Sequence, residues 1–310
     1  MNRNIFFIAA ILIFSCTLFT GCFTGVESTK VISDKDVRRI VDSESQEEKE
    51  ANSLAIPVDS LANWRMGKSF YVCDDNASLI FAPSTAYDAD TLHLKGTVLR
   101  YVARELGSVL DNRETVNVVF TDGRNRYTYP TGRTIDEIKR GYTIPFLIDM
   151  DEVSYVNNKL RGSRCYIKTS IWYDENGHMT SGRKYVEVRI DSVMPGNKVF
   201  PIKVLFTDVA SSRSAMVWMT TGGTVMKNRS FDALFSFTDI RRRYPLIEDD
   251  VWQCIVEGKV KAGMTKDEVR LSLGNPTTVS QRPTHEGIKE VWIYSDGKYL
   301  YFDDGLLMER

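Results

Sequence analysis

The side chains best suited to bind a metal ion stand together in one short segment. Asp174, Glu175 and Asn176 are followed by Gly177 and His178, so oxygen and imidazole ligands lie close together along the chain. Carboxylate and amide oxygens at such spacing are typical of loops that bind Ca²⁺. The same residues at the tip of a hairpin also satisfy the geometry of a tight turn. We favour the turn and predict no metal ion here.

Two aspartates end segments that resemble each other. Asp122 closes the segment VVFTD, and Asp208 closes the segment VLFTD. Two nearby carboxylates can act as a general acid and a general base, but an aspartate at the end of a strand is more simply a turn former. His93 and His285 have no plausible catalytic partners in the sequence, and no enzyme class gains a residue assignment. We therefore predict no catalytic residues, no cofactor and a protein that is not an enzyme.

Cys22 has the clearest chemistry of the cysteines. A basic residue, an apolar run and small residues precede it, as in a secretory signal peptide over residues 1–21. Phe19-Thr20-Gly21-Cys22 resembles a bacterial lipobox. The resemblance implies diacylation of the Cys22 thiol, cleavage before it and acylation of the new amine, which together give a permanent membrane anchor. Phe23 stands where Asp would retain an enterobacterial lipoprotein in the inner membrane, so we expect an outer-membrane lipoprotein facing the periplasm.

The chain changes character after the anchor. Residues 22–63 are rich in charged side chains and poor in large apolar ones, a composition that cannot bury enough surface to fold alone. We therefore predict a lipidated cysteine followed by a flexible charged tether. The whole chain carries 40 Lys and Arg against 41 Asp and Glu, interspersed, with a net charge of −1. This balance indicates neither nucleic acid nor a strongly charged substrate as a partner.

The middle of the chain, from about residue 64 to 245, is predicted to be rich in β-structure. Short apolar or alternating runs are separated by Gly, Asn, Asp or Ser, a pattern typical of small barrels or sandwiches. Three short segments recur in the same order: Leu94-Lys95-Gly96 as Leu160-Arg161-Gly162, VVFTD as VLFTD, and TGRT as TGGT. This hints at a duplication. We predict two halves, 64–140 and 141–245, which could form two tandem small β-barrels, the second with an extra hairpin.

The remaining cysteines and one basic run leave alternatives open. Three cysteines remain, Cys73, Cys165 and Cys254, and an odd number allows one internal disulfide at most. A disulfide between Cys73 and Cys165 is possible because both lie on predicted strands. Buried free thiols fit the sequence equally well. The densest basic run of the chain is Arg241, Arg242 and Arg243. This run fits either a solvated linker or a site that binds anionic lipid head groups.

The C-terminal region, 246–310, has strong helix and turn signals. Thr265 and Glu268 have capping-box spacing, and Gly274 with Pro276 ends the helix. A shorter helical pattern precedes it in EDDVWQCIVEGK. After a polar stretch, EVWIYS, KYLYFD and LLMER are separated by Asp-Gly pairs, which favour type I′ hairpin turns. We predict two helices packed on a three-stranded antiparallel sheet, with Trp292, Tyr294, Tyr299 and Tyr301 on one face and Ile293, Leu300 and Phe302 on the other.

These residues resemble a known family over about 249–310. The pattern is similar to the SmpA/OmlA (BamE-like) lipoprotein domain in Gly263-Met264-Thr265, Val269, Leu273-Gly274, Pro276, Trp292, Tyr294 and the closing YLYFDDG. The resemblance implies an α+β domain that binds protein partners at the inner face of the outer membrane.

We therefore expect a lipid-anchored envelope protein that acts by binding another envelope protein. The candidate partner-binding residues are Lys266, Arg270, Trp292 and Tyr294, because Arg and aromatic residues are enriched at interface hot spots. The alternative is an envelope module whose β-rich region binds peptidoglycan or a secreted polymer.

Overall fold

The computed structural model describes residues 54–57, 59–84, 92–110, 113–138, 142–221, 227–285 and 287–308. All of them belong to one compact unit, Glu48–Arg310. The signal segment, Cys22 and most of the predicted tether lie outside the described residues. Leu54 and Ile56 pack against one hydrophobic core, and Leu61 is fully buried in another. The folded part of the chain therefore begins before residue 64, within the segment predicted as tether.

The described residues are mostly β, with 16 strands in three antiparallel sheets and few helices. The first sheet has five strands in the spatial order β4-β3-β2-β1-β5. A short helix, α1 (Ile135–Ile138), precedes its last strand. The strands are β1 (Ser69–Val72), β2 (Val98–Leu110), β3 (Arg113–Thr121), β4 (Arg126–Pro130) and β5 (Leu147–Asp149).

The second sheet has seven strands in the order β12-β6-β9-β10-β11-β7-β8. Helix α2 (Met150–Leu160) leads into it and buries Val153, Val156 and Leu160 in its core, and the short helix α3 (Phe231–Leu234) precedes its last strand. The strands are β6 (Arg164–Ile167), β7 (Ile171–Tyr173), β8 (Met179–Ser181), β9 (Val186–Pro195), β10 (Ile202–Asp208), β11 (Ser214–Met219) and β12 (Phe235–Ser236).

The two sheets share one strand order. The sequence β4-β3-β2-β1-β5 of the first sheet recurs in the second as β11-β10-β9-β6-β12, and the hairpin β7–β8 is added beyond β11. Leu94 and Leu160 each accept a hydrogen bond from the amide three residues later, at 2.9 Å, across a glycine of positive φ. The duplication of the sequence stays a hypothesis. The predicted pair of small barrels is wrong, because each sheet is open and, among the described strands, ends in two edges.

The C-terminal region contains two helices and four strands. It consists of α4 (Asp249–Val256), α5 (Lys266–Leu273), β13 (Thr278–Thr284), β14 (Gly287–Ile293), β15 (Tyr299–Asp303) and β16 (Leu306–Leu307), with the strands in chain order. The predicted arrangement of two helices on three strands is therefore wrong. The missed strand is β13, which lies at the sheet edge with almost every residue exposed and so lacks the alternating apolar pattern of a half-buried strand.

The C-terminal region is joined to the seven-stranded sheet just before β9. The Lys184 amide donates to the Val256 carbonyl at 3.1 Å, and the Lys184 ammonium donates to the Ser272 carbonyl at the end of α5. Tyr185 has a φ of 60° and stacks on Trp252 with ring centroids 5.7 Å apart. We call these contacts of Lys184 and Tyr185 the junction.

Candidate partner-binding surface

Helix α5 begins and ends as its sequence predicts. The Thr265 hydroxyl accepts the Glu268 amide at 3.3 Å, and the Glu268 carboxylate accepts the Thr265 amide at 2.7 Å, so the capping box is confirmed. Gly274 ends the helix with a φ of 84°. Val269 is fully buried against the sheet. The helix is therefore held both by its cap and by its apolar side.

Lys266 fastens this helix to β14. Its ammonium forms an ion pair with the Glu290 carboxylate, whose residue is only 3% exposed. The Trp292 indole N–H donates to the other oxygen of Glu290 at 3.1 Å. Burial alone would raise the pKa of Glu290, but the hydrogen bonds from Lys266 and Trp292 hold that pKa below its usual value. Lys266 is thus a structural residue rather than a free surface cation.

Arg270, Trp292 and Tyr294 also contact groups of their own domain. The Arg270 guanidinium lies 4.7 Å from the Trp292 ring centroid and 2.8 Å from Asp267 Oδ1. Trp292 is fully buried and packs on Phe302. The Tyr294 hydroxyl donates to the Gly274 carbonyl at 3.2 Å, and burial raises its pKa to about 12.

The structure therefore brings the four predicted residues together, but as a network that joins helix to sheet. Their role in partner binding stays a prediction. Trp292 has no exposed surface with which to meet a partner.

The turn between β14 and β15 explains why the predicted grouping of aromatic residues is wrong. A two-residue turn at Asp296-Gly297 would pair Ser295 with Lys298, and so would place Trp292 opposite Tyr301. Instead the Tyr294 amide donates to the Lys298 carbonyl at 3.0 Å, and of the Asp-Gly pair only Gly297 has positive φ. The loop has one residue more, and a shift of one residue exchanges the two faces of a strand.

The observed register separates the aromatic residues into two sets. Trp292 pairs with Leu300, Ile293 with Tyr299 and Val291 with Tyr301. Trp292 and Tyr294 thus face the helices, together with Leu300 and Phe302, and all four are buried. Tyr299 and Tyr301 face away from the helices and are 49% and 54% exposed.

The outward face of the sheet carries an exposed apolar patch. Leu306 and Met308 are about half exposed, and Leu306 pairs with Asp303 while the Met308 amide donates to the Tyr301 carbonyl at 2.8 Å. We call Tyr299, Tyr301, Leu306 and Met308 the aromatic face. The sequence signal for the aromatic face is the alternation along β15. Tyr299 and Tyr301 stand at odd-numbered positions, and the apolar Leu300 and Phe302 stand at even-numbered ones.

A groove of about 390 Å³ borders the aromatic face. Tyr299, Tyr301 and Met308 form one wall, and the loop 258–262 forms the other. Three lysines also line the groove, and each is paired with a carboxylate: Lys259 with Glu257, Lys261 with Asp250 and Lys298 with Asp296. The groove is therefore balanced in charge, and its exposed aromatic and apolar atoms are its distinctive feature.

The other polar candidates take local roles. Asp174 accepts the amides of Asn176 and His178 at 3.0 and 2.8 Å, as a hairpin turn requires, and the described residues contain no cluster of metal-type ligands. Asp122 accepts two turn amides and the Tyr127 hydroxyl. Asp208 accepts two turn amides and pairs with Arg183. Both aspartates form turns at strand ends and belong to different sheets.

The structure also places the three cysteines and Arg241, the first residue of the basic run. Cys73, Cys165 and Cys254 are free thiols, so the disulfide between Cys73 and Cys165 does not form. Burial raises the pKa of Cys165 to about 12. The Arg241 guanidinium donates to the Tyr244 and Ile247 carbonyls and lies over the Trp252 ring, so it fixes the start of α4 instead of standing free in a linker.

No family model, no curated protein and no solved structure matched this chain. Among the described helices, none has the length and apolar character needed to cross a membrane.

Proposed function

We propose that this protein is a lipid-anchored protein of the cell envelope that binds another envelope protein through its aromatic face. The anchor is Cys22, the location is the periplasmic side of the outer membrane, and the role is similar to that of accessory lipoproteins in outer-membrane β-barrel assembly. The proposal rests above all on the exposure of Tyr299 and Tyr301 on the face of β15 opposite to the buried Leu300 and Phe302.

The chemistry of the aromatic face favours a protein partner. Tyrosine and methionine are enriched where proteins meet, because they bury large areas with few rotatable bonds or adapt to irregular surfaces. The neighbouring lysines already have carboxylate partners, so a highly charged ligand would gain little from them. A partner that presents an apolar or aromatic surface is the best match.

The test is a paired substitution on this face. Tyr299→Thr with Tyr301→Thr removes both rings and keeps residues with a high preference for strands. Loss of two tyrosine anchors should lower the recovery of β-barrel assembly proteins in a crosslinked pull-down from envelope fractions by about tenfold or more. The free energy of unfolding should change by about 1 kcal/mol or less, because both side chains are half exposed in the free protein.

The matched control is Leu106→Thr, which removes a large apolar side chain that is 75% exposed on β2 of the first sheet. It should leave the pull-down unchanged. Equal recovery of the assembly proteins with the tyrosine variant and the wild type would exclude the aromatic face as the binding surface. Recovery of cell-wall material in place of those proteins would support the polymer-binding alternative.

The anchor has a separate test. Cys22→Ser removes the thiol that would carry the diacylglycerol, so the protein should accumulate unprocessed or as a soluble periplasmic form. Fractionation and the mass of the mature N-terminus measure this directly. A correctly cleaved, membrane-bound Cys22→Ser protein would contradict the lipoprotein assignment.

A further inference from the structure

A polar pocket of about 390 Å³ lies in the first sheet, far along the chain from the aromatic face. It is formed where β3 begins and β4 ends, next to α1. No apolar side chain lines it, so its ligand must be polar. The lining residues are Arg113, Thr115, Thr131, Gly132, Arg133, Thr134 and Glu137.

Main-chain and threonine hydrogen bonds hold the wall of the pocket in place. The Val116 amide donates to the Arg133 carbonyl at 2.9 Å, and the Thr131 amide donates to the Val116 carbonyl at 3.1 Å. The buried Thr131 hydroxyl donates to Val116 and accepts the Arg133 amide. The backbone that carries Arg133 is therefore fixed to β3, so the main chain needs little ordering when a ligand binds.

Gly132 lines the pocket at the turn after β4. Its φ is 64°, a value that disfavours side chains, and a Cβ built there would meet no atom within 4 Å. The space beside the turn is therefore available to a ligand.

The charges in the pocket do not cancel. Glu137 accepts the Thr134 amide at 2.8 Å, and its other oxygen lies 3.5 Å from the Arg113 guanidinium. The Thr134 amide, then Arg113 and Arg133, hold the pKa of Glu137 below its usual value, so the carboxyl group is ionised. Arg133 has no ion pair within the described part of the chain. Two guanidinium groups thus face one carboxylate, and the pocket has a net charge of +1.

We infer that this pocket binds a ligand through a single carboxylate group. A guanidinium presents two parallel N–H groups to a carboxylate, and one added carboxylate makes the pocket neutral. The polar lining suits the rest of a sugar or a peptide. Uronic-acid glycans and peptides with a free C-terminus both carry this group, and the experiment separates them. This site is independent of the proposed protein partner, since it lies on a different sheet.

The measurement is isothermal titration of the purified full chain with two probes that each carry one carboxylate, methyl galactosiduronate and N-acetyl-alanyl-alanine. Each has a neutral counterpart, the methyl ester and the C-terminal amide. We expect one carboxylate probe to bind and its neutral counterpart to bind at least tenfold more weakly. The probe that binds more tightly identifies the source of the carboxylate.

The variants locate the binding. Arg133→Gln and Arg113→Gln should each weaken binding of the carboxylate probe at least tenfold. The control Arg124→Gln removes an exposed arginine at the opposite end of the β3–β4 hairpin and should change affinity less than twofold.

Three results would overturn the inference. They are no binding of either carboxylate probe at millimolar concentration, equal binding of the neutral counterparts, and unchanged affinity in Arg133→Gln. Tighter binding of inorganic phosphate than of the carboxylates would overturn the choice of ligand class.

Discussion

Glu290 depends on Lys266 for its ionised state. The carboxylate is nearly out of contact with solvent, and its partners are the Lys266 ammonium, the Trp292 indole and the Gln281 side chain. Removing one partner of a buried charge leaves a desolvated group whose cost exceeds the net value of the pair. A lysine that a sequence pattern assigns to the polar side of α5 therefore contributes to the stability of the C-terminal region.

We predict that Lys266→Met destabilises the protein by about 1–3 kcal/mol at pH 7, measured by urea unfolding. In the wild type the pKa of Glu290 is lowered. The ion pair therefore adds its full contribution to the free energy of unfolding at any pH above the usual pKa of a glutamate, and this contribution is lost as the pH falls through the lowered pKa. In the variant the hydrogen bonds from Trp292 and Gln281 remain, but burial is no longer opposed by the Lys266 ammonium, so the pKa of Glu290 rises relative to the wild type. The loss of stability should therefore shrink as the pH falls from 7 towards 4.5.

The control is the double variant Lys266→Met with Glu290→Gln, which removes both charges and keeps an oxygen for the Trp292 indole. It should recover most of the lost stability at pH 7. A single variant as stable as the wild type at pH 7 would mean that Glu290 reaches solvent and that the pair has no structural role.

At the scale of the element, the loop between β14 and β15 decides which aromatic residues are exposed. The Tyr294–Lys298 pair closes a loop of Ser295, Asp296 and Gly297. Without Ser295 the same pair could be closed by Asp-Gly alone, which suits a two-residue type I′ turn. The register of the strands would not change.

We predict that deletion of Ser295 changes the free energy of unfolding by about 1 kcal/mol or less, since every strand pair is kept. Deletion of Ile293 is the matched comparison, because it moves Trp292 to the exposed face. Its cost should be about 3–5 kcal/mol, the range for losing a buried aromatic side chain. Urea unfolding of both variants checks this, and equal damage by the two deletions would contradict the three-residue loop.

The elements differ in how much of them can be predicted from the sequence. Helix α5 can be predicted because its start and stop signals lie close together in the sequence: Thr265 and Glu268 form the capping box, and Gly274 ends the helix. The register of β14 and β15 cannot be predicted in this way, because Asp-Gly fits both a two-residue and a three-residue loop. Only the backbone φ of Asp296 distinguishes the two loops. Strand β13 is hidden because an exposed edge strand needs no apolar alternation.

The polar pocket was missed for a different reason. Arg113 and Arg133 are far apart in sequence, and only the pairing of β3 with β4 and the anchored turn bring them together. Neither arginine belongs to a local motif. The only sequence feature of the TGRT segment that contains Arg133 is its recurrence as TGGT, which does not indicate a binding site.

At the scale of the whole molecule, the junction links the C-terminal region to the seven-stranded sheet through a buried lysine. The Lys184 ammonium lies 5.4 Å from the Tyr185 ring centroid, and it has no ion pair within the described residues. Burial lowers the pKa of Lys184 to about 8. The folded protein therefore releases this proton at a lower pH than the unfolded chain does.

We predict that this lysine makes the stability of the wild type rise with pH between about 8 and 10.5. In this window the unfolded chain binds more protons than the folded one, so raising the pH favours folding. Lys184→Met should remove this contribution. The measurement is the free energy of unfolding at pH 7.5 and 9.5, compared between wild type and variant so that effects of the tyrosines cancel. A constant difference between the two proteins at both pH values would contradict the lowered pKa.

The exposed edge strand β13 affects how copies of the protein behave when they are crowded together. A bare strand edge offers unpaired amides and carbonyls to any second strand, which is a route to aggregation. Here the edge carries Arg282, which resists close approach of another copy, and Pro283, which lacks the amide that continued pairing needs. At high local concentration, copies of the protein would thus have little tendency to pair through β13, although this strand leaves the sheet open on that side.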